Sequence, residues 1–346
     1  MSLSNNIKQK ISLSVIKTMI TAIDAMPEIN FEANNPFYVA FTKNKLEGKV
    51  TDVPIFISLA SWLHGLNTTL GQSFFENVAH ILCDGEKREY TSKKLGNLPI
   101  TKTQQDTITQ IINDLSTSSK LPNLEEENKK LLQNDNSPKV KAEDFSADVF
   151  FENSDSVVAI ELKTVKPNSG GMKGEKQKIL EGKAALFHLF PNKTIYFYFG
   201  FPFDPTVNPE TESVTSYDKT RFLNSIVNAH KFCAQNEFLV AGELWDFLSG
   251  ETGAMENILE IINTIATPDF FGKMQLLKNN SKRTTPEYLS QLQEWNLFSE
   301  KELIENNNHI ITKLSNNNFI RTYNKMIFDK DGKYNWERYN ILQNLI

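Results

Sequence analysis

The sequence predicts an α/β fold, a mixed central β-sheet flanked by helices, with helical additions at the N- and C-terminal ends. Three observations predict it. Between about residues 69 and 201 the periodicity runs helix, strand, strand, helix, strand. Val157-Val158-Ala159-Ile160 is an apolar, β-branched run of strand length, and Thr194–Phe201 alternates aromatics at period two. The last hundred residues carry helix starts and few strand signals.

Each element follows from its local pattern. Ile7, Ile11, Val15, Ile16, Met19 and Ile23 recur at helical spacing, so residues 1–30 read as a helix. Strand-like pieces lie around Tyr38–Thr42 and Ile55–Leu59. Leu70, Phe74, Val78 and Ile81 share one face of a helix over Thr69–Leu82, and Lys102–Leu115 reads as another. Residues 116–142 are rich in Ser, Asn, Lys and Glu and read as a surface helix between loops. A hairpin at 147–164 and a link at 168–172 come next. A helix over Lys173–Phe190 leads to the strand Thr194–Phe201. Glu237–Ala241 reads as a strand and Glu243–Leu248 as a short helix. Thr267-Pro268, Thr285-Pro286 and Ser299 with Glu302 are helix starts, each placing a hydroxyl at the cap and Pro or an acid behind it. Asp331-Gly332 closes a small hairpin.

Composition narrows the function. A net charge of −5 means that any nucleic-acid surface must be a local basic patch. Cys83 and Cys233 are the only cysteines, which excludes a Cys-rich zinc module and suits a reducing compartment. No signal-peptide pattern and no membrane-length apolar run is present, so the protein reads as cytoplasmic. The five histidines lack metal-ligand spacing. There is no Gly-x-x-x-x-Gly-Lys phosphate loop, so no nucleotide cofactor is expected.

The chemistry concentrates on the hairpin. Glu161 and Lys163 sit at i and i+2 of an otherwise apolar strand and therefore share a face, with Val158, Ile160 and Leu162 on the other. Asp148 lies on the preceding strand. A two-residue turn at Asn153-Ser154 places it diagonal to Glu161; a four-residue loop, Asn153 to Ser156, places it directly opposite. Either register leaves the carboxylates about 5–8 Å apart. Two such acids suit a hard divalent cation such as Mg²⁺. Lys163 beside them can hold or help deprotonate an attacking water and neutralise phosphate charge, while the metal stabilises developing negative charge. The bland alternatives are an edge-strand ion pair for Glu161 and Lys163, and a solvated helix face for Glu76 with Gln72 and His80.

Asp148 followed by Glu161-x-Lys163, then a helix and a strand, resembles the PD-(D/E)xK nuclease superfamily; Ala147 stands where the family has Pro. The resemblance implies that Asp148, Glu161 and the Leu162 carbonyl hold Mg²⁺, which Mn²⁺ can replace. It also implies that Lys163 orients the water and that Glu76 of the upstream helix holds a second ion or orients Lys163. Phe74-Phe75-Glu76, the Ala147–Phe151 strand, Glu161–Asn168 and Gly242–Gly250 together resemble a TdeIII-type type II restriction endonuclease over about 60–275. That implies a homodimer cutting double-stranded DNA at a short palindrome, with a GGNCC-like site as the family expectation.

Lys163, Lys166, Lys173, Lys176, Lys178 and Lys183 outnumber the acids between 163 and 183, and Lys176 and Lys183 share a helix face. With Lys282 and Arg283 in a second basic stretch, these are candidate phosphate contacts. Lys219 and Arg221, again with Lys282 and Arg283, are candidates for base readout. A loop or plain surface is the alternative for each. The expected organisation is an N-terminal extension (1–60), a catalytic core (61–250) and a mainly helical region for recognition or dimerisation (251–346). Two other functions fit the same residues: a structure-specific repair or recombination nuclease, and a DNA-binding module that has lost catalysis.

Overall fold

Val157, Val158, Ala159 and Ile160 are each no more than 2% exposed, because their strand is flanked on both edges and covered on both faces. The computed structural model that shows this describes residues 2–23, 63, 65, 66, 68–163 and 171–346. The strand-like pieces expected at Tyr38–Thr42 and Ile55–Leu59 lie outside the described residues. Contacts divide the chain into two units, Met1–Leu3 with Glu76–Asn257 and Ser4–Phe75 with Ile258–Ile346.

In chain order the elements are α1 (Asn5–Thr18), α2 (Phe75–Cys83), β1 (Glu86–Tyr90), β2 (Pro99–Thr101), α3 (Lys102–Ser116), α4 (Leu124–Leu131), β3 (Lys139–Lys141), β4 (Phe145–Glu152) and β5 (Ser156–Leu162). There follow α5 (Gly171–Leu189), β6 (Thr194–Phe201), α6 (Lys219–Asn224), α7 (Ala229–Phe232), β7 (Phe238–Val240) and α8 (Gly242–Ser249). The sheet order is β1-β4-β5-β6-β7. β1–β4 and β4–β5 are antiparallel, whereas β5–β6 and β6–β7 are parallel, so the sheet is mixed as the sequence predicts. α5 is the crossover that parallel pairing of β5 and β6 requires. β2 and β3 form a separate antiparallel pair.

Two glycines set how closely helices approach this sheet. A Cβ at Gly182 of α5 would lie 2.5 Å from a ring carbon of Phe197 on β6. A Cβ at Gly200 would lie 2.7 Å from Ile160 and 3.2 Å from Leu244 of α8. Only hydrogen fits in both places. Trp245 is buried, and its indole N–H donates to the Pro202 carbonyl at 2.8 Å, an architectural role. α3 begins in a capping box. Thr101 Oγ1 accepts from the Gln104 N–H, and Gln104 Oε1 accepts from the Thr101 N–H.

The second unit is helical where it is described. α1 is capped by Ser4 and continues through a wider turn over Met19–Ile23. After α9 (Ala254–Ile265), which begins in the first unit, come α10 (Phe270–Lys278), α11 (Pro286–Glu294), α12 (Phe298–Glu305), α13 (Asn307–Thr312), α14 (Asn317–Asn324) and α15 (Trp336–Gln343). Thr285 caps α11 with Pro286 behind it, as expected. The start expected at Thr267 falls instead at Asp269, which accepts the Thr267 hydroxyl at 2.6 Å. Ser299 lies inside α12 rather than at its cap, and Gln9 engages both its hydroxyl and its N–H. The Asp331-Gly332 turn closes a minimal hairpin through the Phe328–Tyr334 bridge, with Gly332 at φ +75°. Among the described residues no helix is long and apolar enough to cross a membrane.

Candidate active site

The β4–β5 ladder fixes the register that the sequence left open. Val149 pairs with Ile160 and Glu152 with Val157, so the loop spans four residues and closes through Asn153 N–H to the Ser156 carbonyl at 2.9 Å. Asp148 lies one step beyond Val149, the last residue of β4 paired with β5, and its charge is close enough to Glu161 to act on it. Asp148 Oδ2 accepts the Leu162 N–H at 3.0 Å. The next N–H, of Lys163, turns the other way, to the Gly200 carbonyl. A strand residue's N–H and C=O point to the same neighbour, so the Leu162 carbonyl also faces the Asp148 side.

β4 carries one extra residue at this point. Arg88 pairs with Ala147 and Glu86 with Phe150, so Lys87 alone spans Asp148 and Val149. Such a bulge re-aims side chains. The Asp148 carbonyl meets His80 Nε2 of α2 at 2.7 Å. Asp148 Oδ1 meets Lys87 Nζ at 2.8 Å, and the same ammonium lies 3.1 Å from Glu76 Oε1. Burial works against the charge on Lys87, but Asp148 and Glu76 outweigh it and hold its pKa above the usual lysine value.

Lys163 is bracketed in a matching way. Its Nζ lies 2.9 Å from Glu161 Oε1 and 3.1 Å from Glu175 Oε2, the latter on the first turns of α5. Glu161 Oε2 accepts the Ser146 hydroxyl at 3.2 Å. Burial raises the pKa of Glu161. Asp148 and Glu175 push the same way, and Lys163 opposes them. For Lys163 burial again disfavours charge, yet the two glutamates win and its pKa is raised.

The structure therefore brings together Glu76, Asp148, Glu161 and Lys163, and adds Lys87 and Glu175, which sequence reasoning missed. Glu76 pairs with Lys87, and the outer contact on Lys163 comes from Glu175. Glu175 left a faint signal as an acid in the first turns of the helix after the motif. Lys87 left none, because Glu-Lys-Arg-Glu-Tyr does not read as a strand; charge of this kind is characteristic of a sheet edge.

Among the described residues no three His, Cys, Asp or Glu side chains are arranged to hold one metal ion. Two carboxylates and a backbone carbonyl still fit a hard cation that keeps several waters, such as Mg²⁺. The charge balance agrees. Four carboxylates (Glu76, Asp148, Glu161 and Glu175) face two inner lysines, and Lys178 reaches Glu175 from a half-exposed position at 3.4 Å. The cluster is left net negative.

The candidate DNA contacts divide. Lys173 and Lys282 are exposed, and Lys166 lies outside the described residues. Lys219 is paired with Glu243 at 2.7 Å, and Arg221 with Glu212 at 3.0 Å. Three expectations are corrected. Lys176 and Lys183 are 0% and 1% exposed, so neither can reach phosphate from a solvent-facing helix surface. Lys176 pairs with Glu127 and Glu237, and Lys183 lies 3.8 Å from Glu237. Arg283 is 2% exposed and donates to the carbonyls of Tyr323 and Lys325. Each of the three is buried within its own unit.

A mixed sheet flanked by helices, with neighbouring strand acids beside a bracketed lysine, defines a restriction-endonuclease-like class of protein. A family model described as type II restriction endonuclease, HinfI, matches residues 3–266. The chain is also 42% identical to the type II restriction enzyme MjaII of Methanocaldococcus jannaschii, across 98% of this chain and 96% of that one. It belongs to the HinfI family of type II restriction endonucleases. The TdeIII-type likeness read from the sequence gains no support from these matches. No solved structure matches the chain.

Proposed function

We propose that this restriction endonuclease is a Mg²⁺-dependent enzyme of the PD-(D/E)xK type. In this reading it works as a cytoplasmic homodimer on double-stranded DNA, at a short palindrome of the GGNCC kind. The palindrome and the dimer rest on the resemblance of the motifs. The observation that supports the mechanism is the Asp148 carboxylate, held by the Leu162 N–H close to Glu161, with Lys163 held against Glu161.

Asp148, Glu161 and the Leu162 carbonyl would hold the cation. When bound, it supplies charge stabilisation at the phosphate and a lower pKa for the attacking water. Lys163 is kept as an ammonium by Glu161 and Glu175, which supports a role in orienting the water and neutralising phosphate charge over one in removing a proton. Ser146 and Lys163 occupy one oxygen each of Glu161 and fix its plane. Glu76 acts through Lys87 on Asp148. Lys173 and Lys282 are the exposed candidates for phosphate contact, with residues 251–346 assigned to recognition or dimerisation.

The test is digestion of phage DNA with Mg²⁺ followed by sequencing of the fragment ends. Discrete fragments whose ends share one palindromic motif are expected. Smears or exonucleolytic ladders would reject the reading.

A further inference from the structure

Lys87 is the unexplained member of the cluster. It lies on the edge strand β1, opposite the extra residue of β4. Both oxygens of Asp148 are engaged, Oδ2 by the Leu162 N–H and Oδ1 by Lys87 at 2.8 Å. An oxygen that holds an ammonium so closely must release it before it can bind a divalent cation on that side. The two lysines differ in freedom to move. The Lys87 side chain is 38% exposed, against 20% for Lys163. Its flexible four-carbon stem lets the ammonium swing out to water from an edge strand. Its departure would leave Glu76 and Asp148 facing one another without a counter-charge, which a metal ion relieves.

Resting on the metal reading above, we propose that Lys87 is the resident cation of the resting site. It joins Glu76 to Asp148, gives way when the divalent metal arrives, and thereby sets metal affinity. It is a positioning residue, distinct from Lys163, which stays beside the reacting groups.

The experiment is calorimetry of Ca²⁺ binding to the full chain without DNA, with melting curves in chelator. Lys87→Gln should bind Ca²⁺ about tenfold more tightly, because a positive charge beside the ligand is gone. It should also melt lower than the parent in chelator and gain more from added metal. Lys87→Arg, which keeps the charge, should bind as the parent does. Unchanged or weaker binding by Lys87→Gln overturns the proposal. A second measurement needs no variant: acylation of Lys87 by an N-hydroxysuccinimide ester, read by peptide mass, should rise when Ca²⁺ is added to the parent, and a fall overturns the proposal. Asp148→Asn separates the two levels. If that variant loses Ca²⁺ binding while Lys87→Gln is unchanged, only the role of Lys87 falls. If it binds Ca²⁺ as well as the parent, the metal reading falls and the role of Lys87 with it.

Discussion

Glu175 holds Lys163 from outside the strand motif, with Oε2 3.1 Å from Nζ. The contact links α5 to the end of β5. Glu161, at 2.9 Å on another side, completes a two-point grip on the ammonium. The position of Lys163 is therefore set before substrate arrives, which suits the electrostatic role proposed for it.

Glu175→Gln keeps the shape and removes the charge. Partners of this outer kind commonly contribute about 10- to 100-fold to activity. The expected outcome is a loss of that size in the single-turnover cleavage rate, with DNA affinity in Ca²⁺ unchanged. Cleavage at the parent rate would remove Glu175 from any positioning role.

Lys163→Ala should stop cleavage while the protein still folds and binds DNA. Loss of a positioned charge at a reacting phosphate is expected to cost about 10²- to 10³-fold. Supercoiled DNA with Mg²⁺, read on a gel, measures it. Full activity in this variant rejects the assignment of the lysine.

The hairpin, its Asp148, Glu161 and Lys163, and the helix and strand that follow it were legible because each is local. Val157–Ile160 is apolar and β-branched, and Glu161 and Lys163 interrupt it at period two. The register was open until the ladder was seen, since both loop lengths fit Asn153–Ser156. β1 was illegible because Glu-Lys-Arg-Glu-Tyr is written for a solvent edge, and Lys87 was hidden with it. Lys176 and Lys183 were misread for a different reason. Seven-residue spacing shows that they share a helix face, but it cannot show that Glu127 and Glu237 lie against that face. Arg283 hid in the same way, its partners being two carbonyls about 40 positions downstream.

Glu181 of α5 supplies a pH dependence separate from catalysis. It is 3% exposed, and burial pushes its pKa up to about 7, with the Glu143 N–H opposing and the Glu143 charge assisting. An unfolded glutamate titrates near its ordinary value of about 4.3. The folded state therefore binds the proton more tightly. The stability this adds is fully present below the unfolded value and is lost as pH rises through 7. Glu181→Gln, which cannot ionise, should melt higher than the parent at pH ~8 by on the order of 2 kcal/mol, with the gap closing towards pH ~5. Parallel stability curves across that window would show that the carboxyl is not held neutral.

Lys176 and Lys173 stand three positions apart on α5 and should behave in opposite ways. Lys176 is buried between Glu127 and Glu237, with Nζ 2.5 and 2.7 Å from their carboxylates. Lys176→Met leaves those acids in the interior, where Lys183 is the one other cation among the described residues paired with Glu237, at 3.8 Å. Breaking a buried pair from one side costs about 3–5 kcal/mol, so urea melts should show a large loss. The slope of log affinity for DNA against log salt should stay where it was, because no phosphate contact has been removed. Lys173 is exposed, and Lys173→Ala should leave stability unchanged. If it meets phosphate, the salt slope falls by about 1. Measured in Ca²⁺ to prevent cleavage, a reduced slope for Lys176→Met together with an unchanged melt would place that lysine on the DNA surface and undo its assignment to the interior.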